Sequence, residues 1–259
     1  MWRMERHVPR RGGGNSLKPS HSHGVRLFLR CLAAFTLAEV LITLGIIGVV
    51  AALTLPTLIE NHNKRVVETR LQKFYSAMNQ AIKMAELDYG DRDTWFEDNT
   101  AYSGKQKIWV DKYLVPYLKV VKTGKLKIGT NSPEVYAIYF ADGSAVSMVT
   151  GNGRDWWFFS SNPEKCIADN DYSYHKFMGK CAFAFYYSPT RDEDGKINNA
   201  GWNFNPFGYG WNGYSENYLK NDPVYGCYPN SSWHGHCTAL IQYNNWKFPK
   251  DYPFKVRYR

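Results

Sequence analysis

An apolar run of 25 residues, from Phe35 to Ile59, constrains the fold of this chain more than any other feature, and Glu39 is its only charged residue. At about 1.5 Å per residue, a helix of that length reaches about 37 Å, which exceeds the roughly 30 Å hydrocarbon layer of a bilayer. A secretory signal peptide has a shorter apolar core of about 7–15 residues, followed by a cleavage site with small residues. The run therefore predicts a membrane-spanning helix that the protein keeps.

The excess of basic residues lies before this run. The formal charge is +9, and residues 1–34 hold seven bases and one acid, which leaves only +3 for residues 35–259. Glycine, proline and serine separate these bases and no apolar period runs through them, so we expect a disordered basic leader. By the positive-inside rule the leader stays in the cytoplasm and everything after residue 60 lies outside. The charge thus indicates topology, and no nucleic-acid partner is required.

Glu39 lies at the fifth position of the apolar run. A carboxylate inside a membrane segment costs about 2.5–3.5 kcal/mol on insertion scales, so it usually has a partner. Either Glu39 sits at the headgroup level and faces water, or it pairs with a positive group at the same depth. The run itself encodes no such group, but cleavage after Ala34 would create a free α-amino group on Phe35.

The segment from Ala34 to Gly48, AFTLAEVLITLGIIG, resembles the class III signal of type IV pilins and of type II secretion pseudopilins. In that family a prepilin peptidase cuts before a phenylalanine and methylates the new N-terminus, which implies cleavage between Ala34 and Phe35. The family usually has glycine where Ala34 stands. The resemblance also implies that Glu39 is the glutamate of the fifth mature position and Pro56 the helix-kinking proline of the twenty-second. In a filament Glu39 would then neutralise the N-terminal amine of a neighbouring subunit, which favours one axial register.

Three small residues, Gly45, Gly48 and Ala52, lie on one face of the predicted helix. Such a stripe lets helices approach closely, although membrane helices are rich in glycine and alanine for other reasons as well. With Glu39 and Pro56, these residues make up the predicted assembly segment.

Beyond Pro56 the helical pattern continues as an amphipathic stretch that ends at Gly90. Its apolar residues step by three and four: Val67, Leu71, Phe74, Met78, Ile82 and Ala85. Its charged residues fall at other positions: Lys64, Glu68, Lys73, Lys83 and Glu86. Because proline removes a backbone donor, we expect a kink at Pro56.

Four segments follow from these patterns: a cleaved leader over residues 1–34, a transmembrane and assembly helix over 35–59, an amphipathic continuation over 60–90 and an exported head over 91–259. In the head we expect a helix over 105–115 and a hairpin of strands 135–140 and 144–149 around Asp142-Gly143. Further strands are predicted over 156–159, 182–187 and 239–243. The fold class is α+β and pilin-like, with one long N-terminal helix packed on an antiparallel sheet that carries long loops.

Four of the five cysteines lie in the predicted head: Cys166, Cys181, Cys227 and Cys237. An even number outside the membrane predicts two disulfides. Sequence order favours Cys166–Cys181 and Cys227–Cys237, but three pairings are open. A zinc site of Cys227, His234, His236 and Cys237 is the alternative, although its spacing matches no zinc module.

The head offers one candidate metal site and one candidate binding surface. Asp192, Asp194 and Asn198 place oxygen donors around Gly195, a set that suits calcium. The resemblance supports this reading, because some pseudopilins carry a calcium-stabilised loop here. The alternative is a solvated acidic turn.

Many of the 42 aromatic residues fall in the head. They either form a stacking surface for sugars or a substrate, or hold loops onto a core.

The function that these features and the resemblance imply is that of a structural subunit, a pseudopilin of a type II secretion-like pseudopilus for protein export. The alternative is a major or minor type IV pilin whose aromatic head binds sugar, DNA or a surface. The implied partners are the prepilin peptidase, other pilin-like subunits and an inner-membrane assembly platform. The protein would be a single-pass inner-membrane protein with an extracytoplasmic head. No catalytic arrangement points to an enzyme, and no cofactor is expected apart from calcium.

Overall fold

The computed structural model describes residues 36–95, 105–149, 154–209 and 215–258. The leader and the predicted cleavage site, Ala34 and Phe35, lie outside these residues. The chain divides into two compact units, Met1–Val49 and Val50–Arg259.

Helix α1 spans Leu37–Tyr89 and runs through Pro56. It ends where the sequence predicts: Gly90 has a φ of +79° and its N–H donates to the carbonyl of Glu86, at 3.0 Å. Only glycine adopts this left-handed conformation without steric cost, which makes it the usual residue after a helix C-terminus.

The apolar stripe predicted for the second half of α1 is confirmed. Val67, Leu71, Phe74, Met78, Ile82 and Ala85 are all buried. Glu68 differs from the prediction, because it is buried as well. Its Oε1 accepts a hydrogen bond from the Phe248 N–H at 2.9 Å, and its Oε2 accepts one from the Lys247 ammonium at 2.9 Å. The C-terminal segment thus covers a carboxylate that the helical period places near the edge of the stripe.

The remaining helices are short. They are α2 Lys105–Tyr113, α3 Pro163–Ala168, α4 Tyr174–Phe177, α5 Asn199–Trp202, α6 Glu216–Asn221 and α7 Cys237–Tyr243. The prediction of a helix over 105–115 is confirmed by α2, which gives way to a 3-10 turn at Val115–Tyr117 around Pro116.

The strand predicted over 239–243 is wrong, because these residues belong to α7. The five residues from Cys237 to Ile241 are all buried, so this part of α7 shows no exposed face that would indicate a helical period. A short apolar run of this kind has the same pattern in a buried helix and in a buried strand.

The sheet is a meander of six antiparallel strands in sequential order. The strands are β1 Val120–Lys127, β2 Glu134–Phe140, β3 Ala145–Met148, β4 Asp155–Phe159, β5 Ala182–Tyr186 and β6 Asn205–Pro206. The predicted hairpin is present as β2 and β3. At its turn Gly143 has a φ of +81°, and Asp142 Oδ1 accepts a hydrogen bond from the Ser144 N–H at 3.1 Å. Strand β1 has no counterpart among the predicted strands.

Both faces of the sheet are buried. Strand β4 alternates between them: Trp156 and Phe158 pack in the core that contains the second half of α1, whereas Trp157 and Phe159 pack in the core that contains residues of α3 and α4. This alternation follows from the two-residue period of a strand. The structure therefore has an α+β layout in which a long helix covers one face of an antiparallel sheet.

Candidate functional site

The first part of α1 exposes apolar side chains around its whole circumference. The large apolar residues between 37 and 59 are 43–81% exposed. They are Leu37, Val40, Leu41, Ile42, Leu44, Ile46, Ile47, Val49, Val50, Leu53, Leu55, Leu58 and Ile59. In the described part of the chain, α1 is the one helix long and apolar enough to cross a membrane. A helix that is apolar on all sides needs apolar surroundings, either lipid or other helices.

Glu39 forms a capping box with Thr36 at the start of α1. Its Oε2 accepts hydrogen bonds from the Thr36 N–H at 2.8 Å and from the Thr36 hydroxyl at 2.9 Å, and the Thr36 hydroxyl oxygen accepts one from the Glu39 N–H at 3.2 Å. This reciprocal pattern satisfies donors that the first turn of a helix leaves free. It also fixes the carboxylate at the helix N-terminus, where negative charge is favourable. The Thr-x-x-Glu spacing of Thr36 and Glu39 is the sequence signal for this cap.

The small residues of the assembly segment share one face of α1. With about 100° per residue, Gly45, Gly48, Ala52 and Pro56 fall within an arc of about 80°. A Cβ atom at Gly45 or at Gly48 would meet no atom within 4 Å in this chain. The stripe therefore leaves room for a neighbouring helix, and within the described residues no contact explains it.

Two of the three predicted calcium ligands, Asp192 and Asn198, bind backbone N–H groups through their side chains. Asp192 Oδ1 accepts hydrogen bonds from the Asp194 N–H at 3.1 Å and from the Lys196 N–H at 2.7 Å, which closes the turn at Gly195. Asn198 Oδ1 accepts one from the Ala200 N–H at 3.2 Å and caps α5. No group of three or more His, Cys, Asp or Glu side chains among the described residues could hold a metal ion. The backbone contacts of Asp192 and Asn198 fit a solvated acidic turn, and calcium binding at this loop stays a prediction.

The cysteines of the head form the disulfides Cys166–Cys181 and Cys227–Cys237, the pairing that sequence order favours. Both sulfurs of the alternative zinc site are therefore used. His236 is fully buried beside the rings of Tyr218 and Tyr225, and burial lowers its pKa to about 4. Such a histidine is neutral at physiological pH and belongs to the core.

Many aromatic residues of the head build its core, whereas Tyr172, Tyr174, Tyr209 and Tyr243 are exposed. Phe74 of α1 stacks on Phe158 with ring centroids 4.3 Å apart and meets Phe185 and Phe204 edge-on, at 5.2 and 5.5 Å. These residues and Trp156, Phe159, Phe177 and Phe183 are buried. Their burial supports the structural role of the aromatics over a stacking surface for a ligand.

Two arginines add polar connections that sequence patterns did not reveal. The guanidinium of Arg70, on α1, donates to the carbonyls of Ser160 and Asp142 and to the Tyr258 hydroxyl, the last at 3.2 Å. Arg92 pairs with Glu86 and donates to the carbonyl of Trp202 at 3.1 Å. Both arginines satisfy carbonyl groups from segments far away in the sequence, so only the fold shows their role.

A family model matches residues 57–256, which is most of the chain, and its description is a family of unknown function (DUF6613). The chain belongs to this family. No match was found among curated proteins or among solved structures. The part that matches DUF6613 holds the second half of α1 and the head, whereas Glu39, Gly45, Gly48, Ala52 and Pro56 precede it. Membership in DUF6613 therefore concerns the head fold and assigns no role to the apolar segment.

Proposed function

We propose that this DUF6613 protein is a prepilin-type structural subunit, a pseudopilin of a type II secretion-like system that is processed at Phe35 and polymerises through α1. The observation that carries the proposal is the segment 37–59, which is exposed and apolar on all sides and has a single carboxylate, Glu39, at its first turn. A bundle of such helices buries this surface. In this proposal the protein is not an enzyme.

The proposed role of Glu39 rests on its two carboxylate oxygens. The capping box occupies Oε2, and among the described residues Oε1 accepts no hydrogen bond. A methylated amine on Phe35 of a neighbouring copy would pair with this carboxylate inside a bundle of low dielectric. Because an unpaired charge is costly there, subunits that slip out of register are disfavoured. Glu39 thus caps the N-terminus of its own helix and sets the axial position of the helix of the neighbouring subunit.

Topology follows from the same segment. With the basic leader cytoplasmic, the head lies on the extracytoplasmic side, where the disulfides Cys166–Cys181 and Cys227–Cys237 persist. The prepilin peptidase and an inner-membrane assembly platform are the partners that this arrangement needs.

The experiment compares wild-type protein with E39A and E39Q, expressed with the prepilin peptidase and analysed by intact mass and by sedimentation of assembled material. We expect a mature wild-type chain that starts at methyl-Phe35. Both variants should insert and be cleaved, but assembly should fall at least about tenfold. Glutamine at this position can still cap the helix, so E39Q separates the charge from the cap.

Three outcomes would contradict the proposal. Retention of Met1 in the purified wild-type chain excludes processing. Normal assembly of E39Q assigns Glu39 to capping alone. Failure of the processed wild-type chain to assemble excludes a polymerising subunit.

A further inference from the structure

The outer edge of the sheet carries an unbalanced positive charge. Strand β1 is the edge strand, and residues 115–133 hold four lysines and no acid. These four form the basic edge: Lys119, Lys122, Lys125 and Lys127, all of them exposed. Within the described residues only Lys125 makes an ion pair, with Glu134 at 3.5 Å. Lysines on an edge hinder pairing with a further strand, so a partner of this edge would bind through side chains.

A groove of about 710 Å³ lies beside the basic edge. The register of β1 shifts between Val120 and Lys122, and Val121, at this irregularity, lines the groove with 65% of its surface exposed. The Lys122 ammonium also borders the groove, 4.5 Å from the centroid of the Tyr139 ring. Ser161 lines it too: its side chain is buried, and its hydroxyl has no hydrogen-bond partner among the described residues. Two carboxylates line the groove as well, but Asp142 pairs with Arg70 and Glu164 accepts a hydrogen bond from the Tyr139 hydroxyl at 2.7 Å. The Lys122 ammonium, which makes no ion pair among the described residues, therefore favours a carboxylate as the occupant.

The same chain carries a matching group of carboxylates, the acidic turn Asp192–Asp194, which is exposed. Asp192 closes the turn through its Oδ1, whereas Glu193 and Asp194 pair with no cation among the described residues. The turn is held in place because Arg191 Nε donates to Asp93 Oδ2 at 2.7 Å. It follows β5, and four strand spacings of about 4.8 Å put β5 about 19 Å from β1. Among the described residues the acidic turn makes no ion pair with the basic edge of its own chain, whose Lys125 pairs with Glu134.

We propose that the acidic turn of one copy binds the basic edge and the adjoining groove of the next copy. This inference rests on the proposed function and adds a contact between heads to the contact between helices. The two surfaces differ, so the contact is head-to-tail, and a head-to-tail contact that does not close into a ring builds an open helical filament. Complementary charges at such an interface set register and exclude wrong arrangements.

A charge-exchange experiment on the full-length chain tests this contact. One variant carries K122E and K125E, a second carries E193K and D194K, and a third carries all four changes. Asp192 is kept because it closes the turn. A control with K250E and K255E alters the charge by the same amount at two exposed lysines that belong neither to the basic edge and its groove nor to the acidic turn. The measurement is the fraction of protein that sediments as assembled material in membranes with the prepilin peptidase present.

Each double variant should assemble at least about tenfold less than wild type, because like charges then face each other. The fourfold variant should recover to within about twofold, and the control should match wild type. Normal assembly of the double variants, or no recovery in the fourfold variant, would overturn the contact between heads while leaving the helix-based function intact. Loss of assembly in E39Q together with normal assembly of both double variants would separate the two proposals.

Discussion

Single polar residues inside the head determine how its segments are joined. Glu68 is buried near the edge of the helix face that packs on the sheet, and its carboxylate is compensated there because the Phe248 N–H and the Lys247 ammonium both donate to it. The two donors differ in exposure, since the Lys247 side chain is 69% exposed whereas that of Glu68 is 9% exposed. An exposed ammonium contributes little, so most of the stabilisation comes from the backbone donor.

Replacing Glu68 tests this difference. We expect E68A to lower the free energy of unfolding by about 2–3 kcal/mol, because the Phe248 N–H loses its acceptor in a buried position. K247A should cost less than about 1 kcal/mol. Denaturant unfolding of the full-length chain in detergent, followed by tryptophan fluorescence, measures both. Equal losses in the two variants would show that the ion pair carries the stabilisation.

His236 makes the stability of the head depend on pH. Burial lowers its pKa from 6.5 to about 4, with Asp222 opposing the shift. The unfolded chain therefore takes up this proton first as the pH falls, and stability is lost between about pH 6.5 and pH 4. From pH 7 to pH 5 the loss due to His236 should be about 2 kcal/mol.

Unfolding titrations at pH 7 and pH 5 measure this loss. H236F fills the space between the aromatic rings without a titrating group, so its pH-dependent loss should be smaller by that amount. H62A, at an exposed position of α1, is the control and should behave like wild type. An unchanged pH dependence in H236F would assign the acid sensitivity of the head to other groups.

At the scale of elements, a helix with a sustained hydrophobic period is predictable from the sequence, whereas an edge strand or a short buried helix is not. The stripe from Val67 to Ala85 extends over five turns, so the prediction of its buried face was correct. Strand β1 shows no apolar alternation because three of its eight residues are lysines, so the sequence pattern does not predict it, and it forms through its pairing with β2. The residues at 239–243 predict a strand because they form a short and mostly apolar run, a pattern that a short buried helix shares.

In the candidate site, likewise, residues placed by local spacing are predictable and contacts between distant segments are not. The position of Glu39 and the small residues at 45, 48 and 52 follow from spacing alone, and the structure places them on α1 as expected. The roles of Arg70 and Arg92 depend on carbonyl groups about 70 to 110 residues away in the sequence, so no local pattern predicts them. Cleavage at Phe35 remains a prediction.

At the scale of the whole molecule, folding of the head and membrane anchoring draw on different residues. Every buried apolar residue in the described part of the chain lies at Val67 or later, whereas the exposed apolar segment ends at Ile59. Hydrophobic burial within one chain therefore stabilises the head and the second half of α1, which packs on it, and not the apolar segment. The apolar segment gains its stabilisation from lipid or from neighbouring helices.

This division predicts that anchoring can be removed without unfolding the head. I47K places a charge near the middle of the apolar segment, which costs about 2.5–3.5 kcal/mol on insertion scales. We expect the variant to be extracted from membranes by alkaline carbonate, whereas wild type and a K83A control stay in the pellet. The unfolding midpoint of the head, measured in detergent by tryptophan fluorescence, should be the same in all three proteins. A lower midpoint in I47K would show that the apolar segment also supports the head core, because Ile47 itself makes no buried contact in a single chain.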